Sequence, residues 1–183
     1  MKIKYRIYSI IILGVIGTLI IYMFNSSQYI KYDEIESHIE QEVGHDVTIR
    51  KKKLEKSELY FLYTYRGTDN KEYIGMSFYE KKLFGRYKRI GNSLNDKVFG
   101  RYRAGGNPLF YCIFGENKDH IISKIKIDFG NYVYEEKVFE QDYYLIPFKF
   151  QDRFNINDKI TFYDTENKDI TKKIIQKVMG YKN

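Results

Sequence analysis

The chain of 183 residues has no tryptophan, one cysteine, two prolines and three histidines. A lone Cys112 excludes an internal disulfide, and no C-x-x-C or H-x-x-x-H spacing offers a redox or metal site. Ser57, Ser77, Ser93 and Ser123 lack the strand–turn–helix setting of a nucleophile elbow. Gly85, Gly91, Gly100, Gly105 and Gly106 lack the order that builds a phosphate loop. Glu135 and Glu136 are adjacent on a strand pattern, so their carboxylates point to opposite faces and cannot act as a pair. Cys112 lies in an apolar stretch and reads as a buried, unreactive small residue, not a nucleophile served by a distant histidine. His38 reads as a solvated helix residue, and His45 and His120 as turn residues. These absences predict no catalytic residue, no cofactor and no metal, and the chain reads as a non-enzyme.

Charge is also absent from residues 7–24, IYSIIILGVIGTLIIYMF. As a helix, such a run spans about 27 Å, close to the ~30 Å hydrocarbon core of a bilayer. Lys2, Lys4 and Arg6 precede it, and Tyr5, Tyr8 and Tyr22 stand near its ends. The run therefore predicts a single-pass anchor, with residues 1–6 cytoplasmic and residues 25–183 outside the cell membrane. A cleaved signal peptide is the competing reading. Its apolar region would be shorter, and Phe24 or Asn25 suits a cleavage site poorly.

What is abundant favours strands: 19 Tyr and 13 Phe, with many Ile and Val. Residues 32–43 form the exception. Ile35, Ile39 and Val43 make one helical stripe, Asp33 with Glu36 suits a capping box, and Gly44 suits the stop. Strand patterns follow at 47–49, 59–66, 71–79 and 86–90, with hairpin chemistry at Gly67-Thr68-Asp69-Asn70. After a Gly- and Asn-rich stretch, residues 108–114 are apolar at both alternating sets, as in a strand covered on both faces. Further strands read at 121–129, 132–139, 143–150 and 159–164, and Pro147 points to an edge or a bulge. Residues 169–179 fit a last helix or a last strand equally. The fold class is mainly β (α+β). Residues 25–92 read as a helix plus antiparallel sheet, 93–107 as a linker, and 108–183 as a small β-sandwich-like module.

Two stretches carry a resemblance. Glu80-Lys-Lys-Leu-Phe-Gly-Arg-Tyr-Lys88 and Phe114-Gly-Glu-Asn-Lys118, the latter leading into an Ile-rich strand and later Lys-Ile-Thr-Phe-Tyr-Asp, resemble segments of small uncharacterised membrane-anchored proteins of Bacillus-like Gram-positive bacteria. Those proteins often carry Trp near the position of Tyr87. The resemblance covers roughly residues 58–165 and implies a helix-plus-sheet part followed by a sandwich-like part, with no activity.

The net charge of +7 is unevenly placed. Residues 1–6 supply +3, residues 81–103 carry +7, and the remaining exterior sequence is net negative. Within the basic segment, Phe-Gly-Arg-Tyr at 84–87 recurs at 99–102. Lys81, Lys82, Arg86, Lys88, Arg89, Arg101 and Arg103, interleaved with Phe and Tyr, form a candidate polyanion-binding set. Anionic envelope polymers or lipid headgroups are the expected ligands, with no nucleic acid. The plain alternative is a solvated strand face with a chance repeat. The leading expectation is an interaction or structural protein of the envelope with a protein or polymer partner; the alternatives are a polyanion binder and a cell-surface enzyme.

Overall fold

A computed structural model describes residues 2–25, 29–95, 99–105, 108–151 and 158–179. Helix α1 (Lys2–Asn25) covers the charge-free run. Among its described side chains, Tyr8, Leu13, Leu19 and Ile21 are exposed. Among the described residues no helix is long and apolar enough to cross a membrane. The side chains of residues 2–7, 9, 10 and 22–25 of this helix lie outside the described set. The structure therefore shows a helix at the expected place.

After β1 (Tyr29–Ile30) and a 3₁₀ turn at Tyr32–Glu34 comes α2 (Ile35–Val43). The expected helix is thus shorter at its start, and Asp33 does not cap it. The Glu34 carboxylate instead accepts the Lys31 N–H at 2.9 Å. Gly44 ends the helix at φ +73°, the left-handed position that glycine fills without penalty. Ile35 and Ile39 are buried as the stripe requires.

Strands β2 (Val47–Glu55), β3 (Glu58–Arg66), β4 (Glu72–Lys81) and β5 (Tyr87–Asn95) complete a five-stranded antiparallel sheet in the order β1-β5-β4-β3-β2. Strands β6 (Phe99–Gly105), β7 (Leu109–Glu116) and β10 (Tyr143–Phe150) form a second sheet, β10-β7-β6. Strands β8 (Lys124–Asp128), β9 (Val133–Lys137) and β11 (Lys159–Tyr163) form a third, β11-β8-β9, followed by α3 (Thr171–Met179). Residues 169–179 thus resolve as a short approach and a helix. Asp169 accepts the Thr171 N–H at 2.8 Å, and Ile174 is buried.

Three cores bind these layers. Ile35 and Ile39 of α2 pack on Leu59, Phe61, Tyr63 and Tyr79 of the first sheet. The opposite face, with Tyr60, Leu62, Met76 and Phe78, packs on Phe110, Cys112, Phe114 and Leu145 of the second sheet. The other face of the second sheet, with Leu109, Tyr111, Ile113 and Ile146, packs on Ile125, Ile127, Phe162 and Ile174. The order is helix, sheet, sheet, then sheet with helix. Each fully buried Leu, Ile or Phe contributes about 1.5–3 kcal/mol of transfer free energy, so the two-sided strands β3, β4 and β7 dominate stability.

The segment read as a linker, 93–107, is corrected. Residues 93–95 finish β5 and 99–105 are β6, which pairs with β7 from Phe99↔Gly115 to Gly105↔Leu109. Residues 96–98 and 106–107 lie outside the described residues. The sequence repeat is not a structural one. Phe84 sits in a 3₁₀ turn at φ +59° and is 71% exposed, whereas Phe99 is a strand residue packed edge-on against Phe162. Pro147 lies on edge strand β10, opposite Cys112.

Candidate functional site

The seven basic residues singled out from the sequence do not form one patch. Lys81 ends β4, Lys82 and Arg86 flank the turn at Leu83–Gly85, and Lys88 and Arg89 begin β5. Arg101 and Arg103 stand on β6 in a different sheet. Strand alternation and partners divide them further. Arg89 Nε meets Glu42 Oε1 of α2 at 2.8 Å, and Arg86 lies 4.0 Å from Glu34. Arg101 meets Asp158 at 3.3 Å on the side of the third sheet. Asp158 is fixed there by the Tyr111 hydroxyl, which donates to it at 2.6 Å. Burial, then this bond to a carboxylate, holds the Tyr111 phenol well above its ordinary range. Lys82 pairs with Glu80 at 2.6 Å. The α2 side and the β6 side therefore carry separate charge groups, several of them matched by acids.

What the structure does gather is one end of the first sheet. The Lys82 N–H donates to the Arg86 carbonyl at 2.7 Å and closes the β4–β5 turn. The Lys81 N–H donates to the Ser57 carbonyl at 2.7 Å, which places the β2–β3 hairpin beside that turn. Tyr29 pairs with Lys88 and Ile30 with Tyr87, so the chain leaving α1 enters at the same end. Leu83 is 72% exposed, and Tyr32, Leu54 and Phe84 are exposed with it. Sequence reading took the cations here and passed over Leu83 and Phe84. The available signal was an apolar pair between Lys82 and Gly85 in a turn.

A cavity of about 160 Å³ lies where the first and second sheets meet, lined by Glu55, Glu58, Tyr60, Pro147, Phe148 and Lys149. Glu58 is buried and is held by the Lys149 ammonium, which also lies over the Phe110 ring. Burial above all, with the nearby Glu58 carboxylate adding to it, pushes the Tyr60 phenol above its ordinary range. The pair pins β3 to β10 at the edge of this space.

The histidines are dispersed. His38 is corrected from a solvated residue: it is half-buried, with Nδ1 3.1 Å from the Tyr79 hydroxyl and its ring edge-on to that ring. His45 stacks on Tyr65 at 5.7 Å between centroids, and His120 Nε2 lies 2.8 Å from Asp142. Cys112 is buried between two sheets, and burial raises its thiol far above the ordinary value. Among the described residues no three His, Cys, Asp or Glu side chains are grouped to hold a metal ion.

Lys51 of β2 reaches the other way, donating to the Gln141 side chain and to the Tyr143 carbonyl. Burial, then the neighbouring charge of Lys53, lowers its ammonium from the ordinary value. Comparison with protein-family models, with curated proteins and with solved structures finds no match for this chain.

Proposed function

We propose that this chain is a single-pass membrane protein that displays a β-layered interaction or structural domain outside the cytoplasm, without catalysis. The observation that carries this reading is α1. Among the described side chains, the apolar ones from Ile11 to Ile21 are exposed around the helix, with no polar stripe among them. A helix apolar all round belongs inside a core or a bilayer, and exposed apolar area on this scale marks an interaction surface. The basic residues at 2, 4 and 6 set the N-terminus inside. The resemblance to small anchored proteins of Gram-positive bacteria accords with this placement. The test is protease treatment of wall-stripped cells expressing the full chain. Residues 25–183 should be digested while the cells stay sealed; survival of that part would overturn the topology.

A second reading, binding of anionic envelope polymers or headgroups, is favoured by one observation. Lys81, Lys82, Arg86 and Lys88 gather at the β4–β5 turn beside the entry of the chain from α1. Titration of the full chain with anionic vesicles at low and high salt tests it. Binding that does not weaken with salt would remove it.

A further inference from the structure

We propose that the end of the first sheet holding the β4–β5 turn seats on the lipid bilayer, with Leu83 and Phe84 entering the headgroup–acyl boundary. The inference rests on the anchor reading of α1 and deepens it by naming the surface that meets the membrane.

Three observations converge. The first is apolar exposure where it is least expected. Leu83 and Phe84 are 72% and 71% exposed at the tip of a turn. Phe84 takes φ +59°, a left-handed conformation that bulky residues rarely adopt. Turn chemistry alone would place Asn or Gly there. Strain of this kind persists where the surrounding structure enforces it, and here it holds an aromatic ring outward.

The second observation is position. Tyr29 pairs with Lys88 in β5, and three residues separate it from the end of α1 at Asn25. At no more than about 3.6 Å per residue, four steps of chain cover at most ~14 Å. The β4–β5 turn, Leu83–Gly85, ends two residues before Tyr87, just beyond that pairing. β1 runs toward the turn, from Tyr29 opposite Lys88 to Ile30 opposite Tyr87, so a tether of this length lets this end of the sheet reach the bilayer surface. Tyr32 and Leu54, also exposed, lie at the same end of the sheet.

The third is charge. Lys81 and Lys82 precede the apolar pair, and Arg86 and Lys88 follow it. Glu80 and Glu34 stand close enough to offset part of that charge. The arrangement is therefore an apolar wedge with a modest cationic rim. It suits a lipid surface, where rings and aliphatic chains enter and lysines reach phosphate, better than a soluble polyanion, which offers nothing to Leu83 and Phe84. Aromatic rings concentrate at that depth.

The absence of tryptophan supplies the probe. The full chain is reconstituted into phosphatidylglycerol–phosphatidylcholine vesicles with Phe84→Trp, Leu83→Trp or Leu94→Trp as the sole indole. Leu94 is 48% exposed and lies on β5, about 20 Å beyond Lys88 at ~3.3 Å per residue. Flotation after alkaline carbonate reads the anchor; quenching by lipids brominated near the head of the acyl chain reads the wedge. The expected result is retention of all three variants, with several-fold stronger quenching and a blue-shifted emission for the turn reporters against Leu94→Trp. Two reporters guard against a misfolded variant. Retention with equal quenching at all three positions overturns the wedge and leaves the anchor standing. Loss from the vesicles overturns both. An emission change on adding soluble poly(glycerol phosphate), without bromolipid quenching, assigns the turn to a wall polymer and also overturns the proposal.

Discussion

Gly91 of β5 lies directly beneath the ring of Tyr102 on β6: a Cβ at Gly91 would stand 1.7 Å from the Tyr102 hydroxyl oxygen and 2.6 Å from Cζ. The contact joins the first sheet to the second, and Tyr102 continues from it onto Phe78, edge-on at 5.6 Å between centroids. Phe78 itself lies 3.1 Å from the same Cβ position, so the ring cannot simply swing aside. Gly91→Ala should destabilise the fold by about 1–3 kcal/mol, as overpacking does. Tyr102→Ala in the Gly91→Ala background should recover part of that loss, because the clashing ring is gone. Urea midpoints of the two single variants and the double variant, with the full chain in detergent, check the coupling. Strictly additive losses would show that the ring accommodates the methyl.

Glu58 and Lys149 make a sharper test of how the two sheets are held. Glu58 is buried at the start of β3, and the Lys149 side chain from β10 is its partner. Lys149→Met leaves a buried carboxylate without a cation and should cost about 3 kcal/mol or more. The double change Glu58→Met and Lys149→Met removes both charges and should restore most of the stability, since the pair's own net contribution is small. A double variant as unstable as Lys149→Met would mean that the pair stabilises directly.

Strand β7 was legible because both of its faces are apolar, as in a strand covered by two layers, and β3 and β4 because strand-favouring residues flank the hairpin chemistry at Gly67–Asn70. The helical stripe Ile35–Ile39 was legible for the corresponding reason. Strand β6 was not. Its sequence, FGRYRAG, has two glycines and two arginines and little strand propensity; it is a strand because β7 offers an edge and Tyr102 fits between Gly91 and Phe78. The same four residue types at 84–87 begin in the 3₁₀ turn Leu83–Gly85 and enter a strand only at Tyr87, which pairs with Lys81 and Ile30. The basic residues were legible as a composition, but their division between two sheets is a tertiary fact. The Glu58–Lys149 pair spans 91 residues of sequence and leaves no local signal.

Cys112 should resist thiol reagents in the native protein. Its side chain faces Phe78-containing core between the first two sheets, and burial keeps the thiol protonated. Labelling with a maleimide should be slow at neutral pH and should become rapid in urea, at the same midpoint as the loss of tertiary structure. Fast labelling without denaturant would place Cys112 at an accessible site and revive a nucleophilic role.

Tyr144 is buried on β10, and its hydroxyl has no hydrogen-bond partner among the described residues. A buried hydroxyl without a partner costs free energy that folding must overcome. Tyr144→Phe keeps the ring and removes that cost. It should raise stability by about 1 kcal/mol, seen as a higher urea midpoint at unchanged slope. A loss of stability would reveal a partner for the hydroxyl.

Lys118 ties the first sheet to the second, reaching Glu72 of β4 at 2.8 Å and Glu116 of β7 at 2.9 Å. The hydrogen bond from Lys118 holds the Glu72 carboxyl below its ordinary value of 4.5, and the charges of Lys118 and Arg50 add to this. A carboxyl lowered in the folded state binds fewer protons there than in the unfolded chain, where its affinity returns to the ordinary value. Stability therefore rises with pH across the interval between the two values. The contribution is complete above pH 4.5 and is lost as pH falls through the lower, folded value. Because Glu72 and Lys118 are both about two-fifths exposed, solvent screening keeps the effect at a few tenths of a kcal/mol to ~1 kcal/mol. Lys118→Met should remove most of the interaction, giving a lower urea midpoint at pH 7 and a shallower decline below pH 4.5. Added salt should shrink the gap between wild type and variant. An acid decline of equal steepness in both proteins would assign the pH dependence to other carboxylates and leave this bridge without a measurable part in joining the sheets.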